Sequence, residues 1–284
     1  MKGGHAIRLD GGRVRLRDHD SAATGGLDKE EGLAQLDRLG REFQELANLL
    51  AFAGKHALLV VLQGRDASGK DGAIRKILDY SNVLNVRVES FKVPSEEERE
   101  HDFLWRVHKV APRRGQLTLF NRSHYEDVIA ARVHELVPEE RWRARYAHIN
   151  AFERLLADND TLVLKFYLHV GREEQYQRLM EREEGPRTAW KLNVRDWREL
   201  PLWDEVTRAY EDALEACSSK ELPFYLVPAD KKWFRNLVIL EQLVLALRPL
   251  RAGWLAHLEK MGKDALAEIK ALRAATRPSR PRKR

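Results

Sequence analysis

An apolar run at residues 57–62 leads straight into Gly64, Arg65, Asp66, Ala67, Ser68, Gly69, Lys70 and Asp71, and a helical pattern follows at 72–78. No other feature of the chain constrains its fold as strongly. Strand, glycine-bearing loop and helix in that order turn successive backbone amides toward one point at a helix N-terminus, where amide donors and the helix dipole favour a phosphate. Lys70 adds a cation for phosphoryl oxygens. The candidate phosphate-binding set in the loop is therefore Gly64, Ala67, Ser68, Gly69, Lys70 and Asp71. The competing explanation is a tight strand-to-helix turn with an incidental lysine.

Two acids set this loop apart. Its last position is usually Ser or Thr, whose hydroxyl binds Mg²⁺, but Asp71 stands there, and Asp66 lies inside the loop. A carboxylate among phosphates is repelled unless a divalent cation sits between them, so Asp66 is the first metal-ligand candidate and Mg²⁺ the expected cofactor. Capping of loop amides is the alternative role for Asp66. A third run, 117–120, ends in Asn121, Arg122, Ser123, His124, Tyr125, Glu126 and Asp127. Enzymes with such a loop usually carry an acid at the end of a neighbouring strand, and here the amide Asn121 replaces it. Glu126 is the carboxylate best placed to compensate, while helix N-terminal charge compensation explains Asp127 equally well. Arg122 presents a planar, permanent cation that can grip transferring oxygens, with a structural ion pair as its rival reading. The candidate catalytic residues are Asp66, Lys70, Arg122 and Glu126; the candidate metal ligands are Asp66, Asn121 and Glu126.

Further short runs at 86–91, 162–168 and 224–227 alternate with helical segments, the pattern of a parallel sheet covered on both faces. The fold class is α/β. Leu33, Leu36, Leu39, Phe43, Leu46, Leu49 and Leu50 recur at helical spacing and predict an amphipathic helix before the first strand. Residues 1–26 read as an irregular N-terminal extension, 27–274 as the main domain with a helical lid at about 171–219, and 275–284 as a disordered basic tail. Segments 231–247 and 254–272 read as closing helices.

Of the basic groups between 87 and 114, only Lys92, at the end of the second run, rises above a solvated-surface reading. The acids at 96–98 are explained by a capping box from Ser95 to Glu98. In the lid, Arg178 and Arg182 share one helix face, with Arg187 and Lys191 following. Such a flap can fold over phosphates and expel water, although Glu174, four residues before Arg178, leaves a surface salt-bridge ladder open.

The formal charge is +6, but Arg277, Arg280, Arg282, Lys283 and Arg284 supply five of those charges, leaving +1 for the rest. Net charge thus gives no reason to expect nucleic acid as a partner. The single Cys217 excludes an internal disulfide. No apolar run approaches the roughly 20 residues that span a bilayer, and the N-terminus lacks a secretory pattern, so the expectation is a cytoplasmic protein with no membrane partner.

The stretches LLVVLQGRDASGKDGAI, SFKVPSEEEREHDFLWR, RGQLTLFNRSHYEDV and PFYLVPADKKWFRNL, in that order and spacing, resemble the family-2 polyphosphate kinases from about residue 33 to 247. The resemblance implies a P-loop three-layer sandwich with a parallel central sheet, similar to thymidylate kinase, with an inserted helical lid. It implies a homo-oligomer and Mg²⁺-dependent reversible transfer between inorganic polyphosphate and AMP, ADP and ATP, with guanine nucleotides as further candidates. By matched position, Asp66 and Lys70 would be metal and phosphate residues, Arg122 the phosphate-binding arginine, and Arg178, Arg182 and Lys191 lid residues. Asn121 occupies the place where the diphosphate-specific branch has an acid, and the motif NRSHYED at 121–127 instead resembles the branch that phosphorylates both nucleoside monophosphates and diphosphates. Two other functions fit the loop: an ATP-dependent nucleoside or nucleotide kinase, and a non-catalytic nucleotide- or nucleic-acid-binding protein.

Overall fold

Every residue of Ala57–Gln63 is buried, so this strand needs sheet neighbours on both edges and helices on both faces. In the computed structural model, which describes residues 4–184 and 192–275, it is β2 of a six-stranded sheet. The others are β1 (Ile7–Leu9), β3 (Val86–Ser90), β4 (Leu117–Asn121), β5 (Thr161–His169) and β6 (Phe224–Pro228), in the spatial order β1-β6-β5-β2-β4-β3. All pairings are parallel except that of β1 with β6, where Ile7 lies opposite Leu226. The α/β class and mostly parallel sheet follow the sequence pattern.

Strand residues alternate between faces, and β2 shows how this builds two cores. Leu58, Val60 and Leu62 meet α1 (Lys29–Ala53), α2 (Lys70–Leu78) and α10 (Lys232–Leu247). Leu59 and Val61 meet α5 (Glu126–Val133), α6 (Glu139–Asp158) and α9 (Trp203–Ala216). The first helix forms as its leucine spacing predicts. Asp28 caps it by accepting from the Glu31 amide at 2.8 Å, and Gly54, at φ 58°, ends it. Between β3 and β4 lie α3 (Glu96–Glu100) and α4 (Trp105–His108), and the Ser95–Glu98 capping box is present with both of its hydrogen bonds. After β5 come α7 (Arg172–Glu184) and α8 (Val194–Glu199), and the described chain ends in α11 (Arg251–Ala275).

Two expectations change. The segment 1–26 is not irregular throughout: β1 extends the sheet, and Leu9, Val14 and Leu16 are buried in the second core. The proposed lid at 171–219 is also too long. Val206, Ala209, Tyr210, Ala213 and Leu214 of α9 are buried in that same core, so α9 belongs to the body rather than to a lid. Arg187, Lys191 and the tail from 276 lie outside the described residues.

Candidate active site

The C-terminal end of β2 turns into α2 through backbone that few residues tolerate. Gly64 has φ 148°, Ala67 φ 61° and Gly69 φ 97°. A Cβ on Gly64 would lie 2.8 Å from the Leu168 carbonyl oxygen, so glycine is required there by space as well as by φ. Lys70, the first residue of α2, is 7% exposed and donates its Nζ to the carbonyls of Gly64 (2.7 Å) and Arg65 (3.0 Å). Burial, reinforced by the Arg122 charge, depresses its pKa. The Ser68 hydroxyl is buried with no hydrogen-bond partner among the described residues, a donor still available inside the loop.

Arg122 enters from the end of β4. Its amide donates to the Leu62 carbonyl at 3.1 Å, and its φ of 61° is rare for a residue with a side chain. The guanidinium bonds Asp66 on one side and Glu126 Oε2, at 3.1 Å, on the other. Burial raises the pKa of Asp66, but Arg122 and Lys70 outweigh it and hold the carboxyl below its usual value. The ion pair that rivalled a phosphate role for Arg122 is thus present, with both candidate metal carboxylates as its partners. Asn121 is placed otherwise than expected: its Nδ2 donates to Asp71 Oδ1 at 2.8 Å, which ties the amide to the loop's last acid.

Behind this turn lies a buried polar cluster that the sequence conceals. Lys165, inside the apolar run of β5, donates to Glu153 Oε2 at 2.7 Å and to the Cys217 carbonyl at 2.6 Å. Tyr125 donates to Glu153 Oε1 at 2.8 Å, and the His124 Nε2 lies 3.2 Å from the same oxygen. The cluster pins the 123–125 turn that sets the direction of Arg122.

From the other side, Arg178 of α7 is fully engaged. It donates to the carbonyls of Ala67 (2.9 Å), Ala229 (2.7 Å) and Asp230 (2.8 Å), and to Glu174 at 2.7 Å. The start of α7 is therefore bolted to the loop rather than hinged as a flap, and Gln175 adds a bond to the Asp66 carbonyl. Arg182, one turn on, bonds Asp196 of α8 at 2.7 Å. Burial and the charge of Asp66 push Asp196 up to about 6. Asp196 and Arg235, in the first turn of α10, both reach this site and neither was identified from the sequence.

These groups line a cavity of about 810 Å³ that also takes in Lys92. Among the described residues its walls carry eight cations (Lys70, Arg75, Lys92, Arg122, Arg178, Arg182, Lys232 and Arg235) against four carboxylates (Asp66, Asp71, Glu181 and Asp196). Glu126 lines a small adjoining pocket, which shares Asp66 and Arg122 with the main cavity. Among the described residues no group of three or more His, Cys, Asp or Glu is arranged to hold a metal unaided. Mg²⁺ needs only oxygen donors and is typically held by one or two carboxylates plus phosphates and water, so Asp66 and Glu126 fit it as a donor set.

The family model described as Polyphosphate kinase 2 (PPK2) matches residues 26–251. The chain is 47% identical over 243 residues to an AMP/ADP-polyphosphate phosphotransferase of Meiothermus ruber, covering 84% of this chain and 90% of the relative. It is 38% identical to an ADP-polyphosphate phosphotransferase of Rhodopseudomonas palustris, covering 78% of this chain and 79% of that one. Among solved structures, polyphosphate kinase 2 from Arthrobacter aurescens superposes with a TM-score of 0.79 at 35% identity, covering 84% of this chain and 88% of that one.

Proposed function

The chain belongs to the polyphosphate kinase 2 family, and we propose that it carries out Mg²⁺-dependent, reversible phosphoryl transfer between inorganic polyphosphate and nucleotides, taking AMP to ADP and ADP to ATP. It is an enzyme, a polyphosphate:nucleotide phosphotransferase. The observation that carries the reading is the cavity over the glycine loop, where among the described residues eight cations face four carboxylates. A concave site of this sign concentrates polyanions. Relatives named for both AMP and ADP support the two-step conversion.

The reaction asks little proton chemistry of the protein. A nucleotide's terminal phosphate oxygen is already an anion, so its in-line attack on the terminal phosphorus of polyphosphate, which breaks the adjoining P–O–P bond and releases a chain one phosphate shorter, needs positioning and charge stabilisation. Loop amides, the Ser68 hydroxyl and Lys70 hold non-bridging oxygens. Arg122 turns part of its guanidinium from the acids to the phosphoryl group, where planar donors match its oxygens. Arg182, held by Asp196 of α8, adds a further cation from α7 for the phosphate oxygens. Asp66 and Glu126 would hold Mg²⁺, which when bound neutralises charge between adjoining phosphates. We assign the sheet and loop to a P-loop, thymidylate-kinase-like arrangement, in a cytoplasmic homo-oligomer.

Incubation with long-chain polyphosphate, Mg²⁺ and AMP, followed by separation of the nucleotides, tests the reading. ADP and then ATP should accumulate, and chelation of Mg²⁺ should stop both. Product formed only when ATP is the donor would instead make the protein an ATP-dependent nucleotide kinase.

A further inference from the structure

Arg235 is 3% exposed, yet among the described residues no carboxylate pairs with it. Its Nε and Nη2 donate to Asn236 Oδ1 at 3.1 and 2.8 Å. The other nitrogen, Nη1, lies so close over Gly69 that any Cβ there would collide with it, and a Cβ at Gly72 would come within 2.9 Å of Nη2. Gly69 caps α2 and Gly72 lies in its first turn, so the guanidinium sits at the positive end of that helix. The charge acting most directly on it is Arg178, a second buried cation, and burial together with Arg178 lowers its pKa to about 10. Burial, a like charge and a helix dipole of the wrong sign all disfavour a guanidinium here. One anion at this point would reverse the balance.

Arg75 and Lys232, both exposed, line the same cavity beside it. Arg235 follows β6, and Arg122 follows β4, and these strands lie on opposite sides of β2. The two arginines therefore approach the glycine loop from opposite sides.

We propose that Arg235, with Arg75 and Lys232, forms a second phosphate subsite, which holds an inner phosphate of the polymer on the far side of the loop from the transfer point at Lys70 and Arg122. This rests on polyphosphate being the donor. It makes Gly69 necessary twice, for its φ and for the room it leaves the guanidinium.

The test compares KM for tripolyphosphate with KM for a long-chain polyphosphate at saturating AMP, in the full chain and in the variants Arg235→Gln, Arg235→Lys and Lys232→Ala. Wild-type protein that makes no ADP from either donor would defeat the functional reading before the subsite is tested. Given wild-type activity, Arg235→Gln should raise the ratio of long-chain KM to tripolyphosphate KM about tenfold, the loss expected for one charge-assisted contact. Arg235→Lys should fall between that variant and wild type. If Arg235→Gln shows no cooperative melt, the exposed Lys232→Ala decides, with a ratio raised about threefold. An unchanged ratio in the folded variants overturns the subsite. A rise confined to KM for AMP also overturns it, by moving Arg235 to the nucleotide.

Discussion

Arg122 donates to Asp66 through one Nη and to Glu126 through the other, so a single guanidinium holds apart the two carboxylates best suited to a divalent cation. The arrangement brings both acids close to one cation, whose charge offsets their mutual repulsion. It also makes the cation that grips phosphate and the acids that hold metal mutually dependent.

Lys70→Ala and Asp66→Ala should each keep the fold and lower kcat by about 10²- to 10³-fold, the usual loss for one preorganised electrostatic contact. Steady-state rates beside a thermal melt check this. Near-normal turnover in either variant removes that residue from the site.

Glu126→Gln should weaken the hold on Arg122 and remove one oxygen charge from the donor set. Both phosphorylation steps should slow, and the Mg²⁺ concentration for half-maximal rate should rise. A Mg²⁺ titration identical to wild type would exclude Glu126 as a ligand.

Asn121→Asp would replace the amide that donates to Asp71 at 2.8 Å by a second carboxylate. Two acids at that separation cannot both ionise freely without a cation between them. The ratio of ADP to AMP phosphorylation from polyphosphate should therefore shift toward ADP. Wild-type protein that phosphorylates ADP but not AMP would sink the assignment to the broader branch.

Glu153→Gln should destabilise the fold by about 3–5 kcal/mol, because it leaves Lys165 buried without its counter-charge. Burial raises the pKa of Glu153, but Lys165 and His124 outweigh it, so the native carboxyl titrates below 4.5. The stabilisation is complete above that value and is lost as pH falls through the lower native pKa. Urea unfolding from pH 7 to 3 should show a decline in wild type that the variant lacks, and equal stability at pH 7 would contradict the account.

The five parallel strands were legible because each is a short apolar run between helical segments. β1 was not: three residues at an edge, alternating with Arg8, carry too little pattern to distinguish strand from coil. The end of the lid was not legible, because the buried face marked by Val206, Tyr210, Ala213 and Leu214 lies in a segment dense in Arg, Glu and Trp, which reads as surface. Within the site, Asp66, Lys70 and Arg122 could be picked out because local order alone places them at strand ends. Arg235 and Asp196 come from elements far along the chain, and only tertiary packing brings them to the loop. Arg178 was found, but its carbonyl partners are backbone groups, which no side-chain pattern reveals.

The family match begins at residue 26, so trimming the protein to that boundary looks harmless. The N-terminal segment does more than fill out the second core. β1 covers the free edge of β6, Ser21 bonds Asp230 at 2.8 Å, and His169 meets the His19 carbonyl at 3.0 Å. Without residues 4–25, the backbone donors and acceptors of β6 would face solvent as a template for other chains. Such a shortened form should be lost to edge-to-edge aggregation before any catalytic defect could be measured.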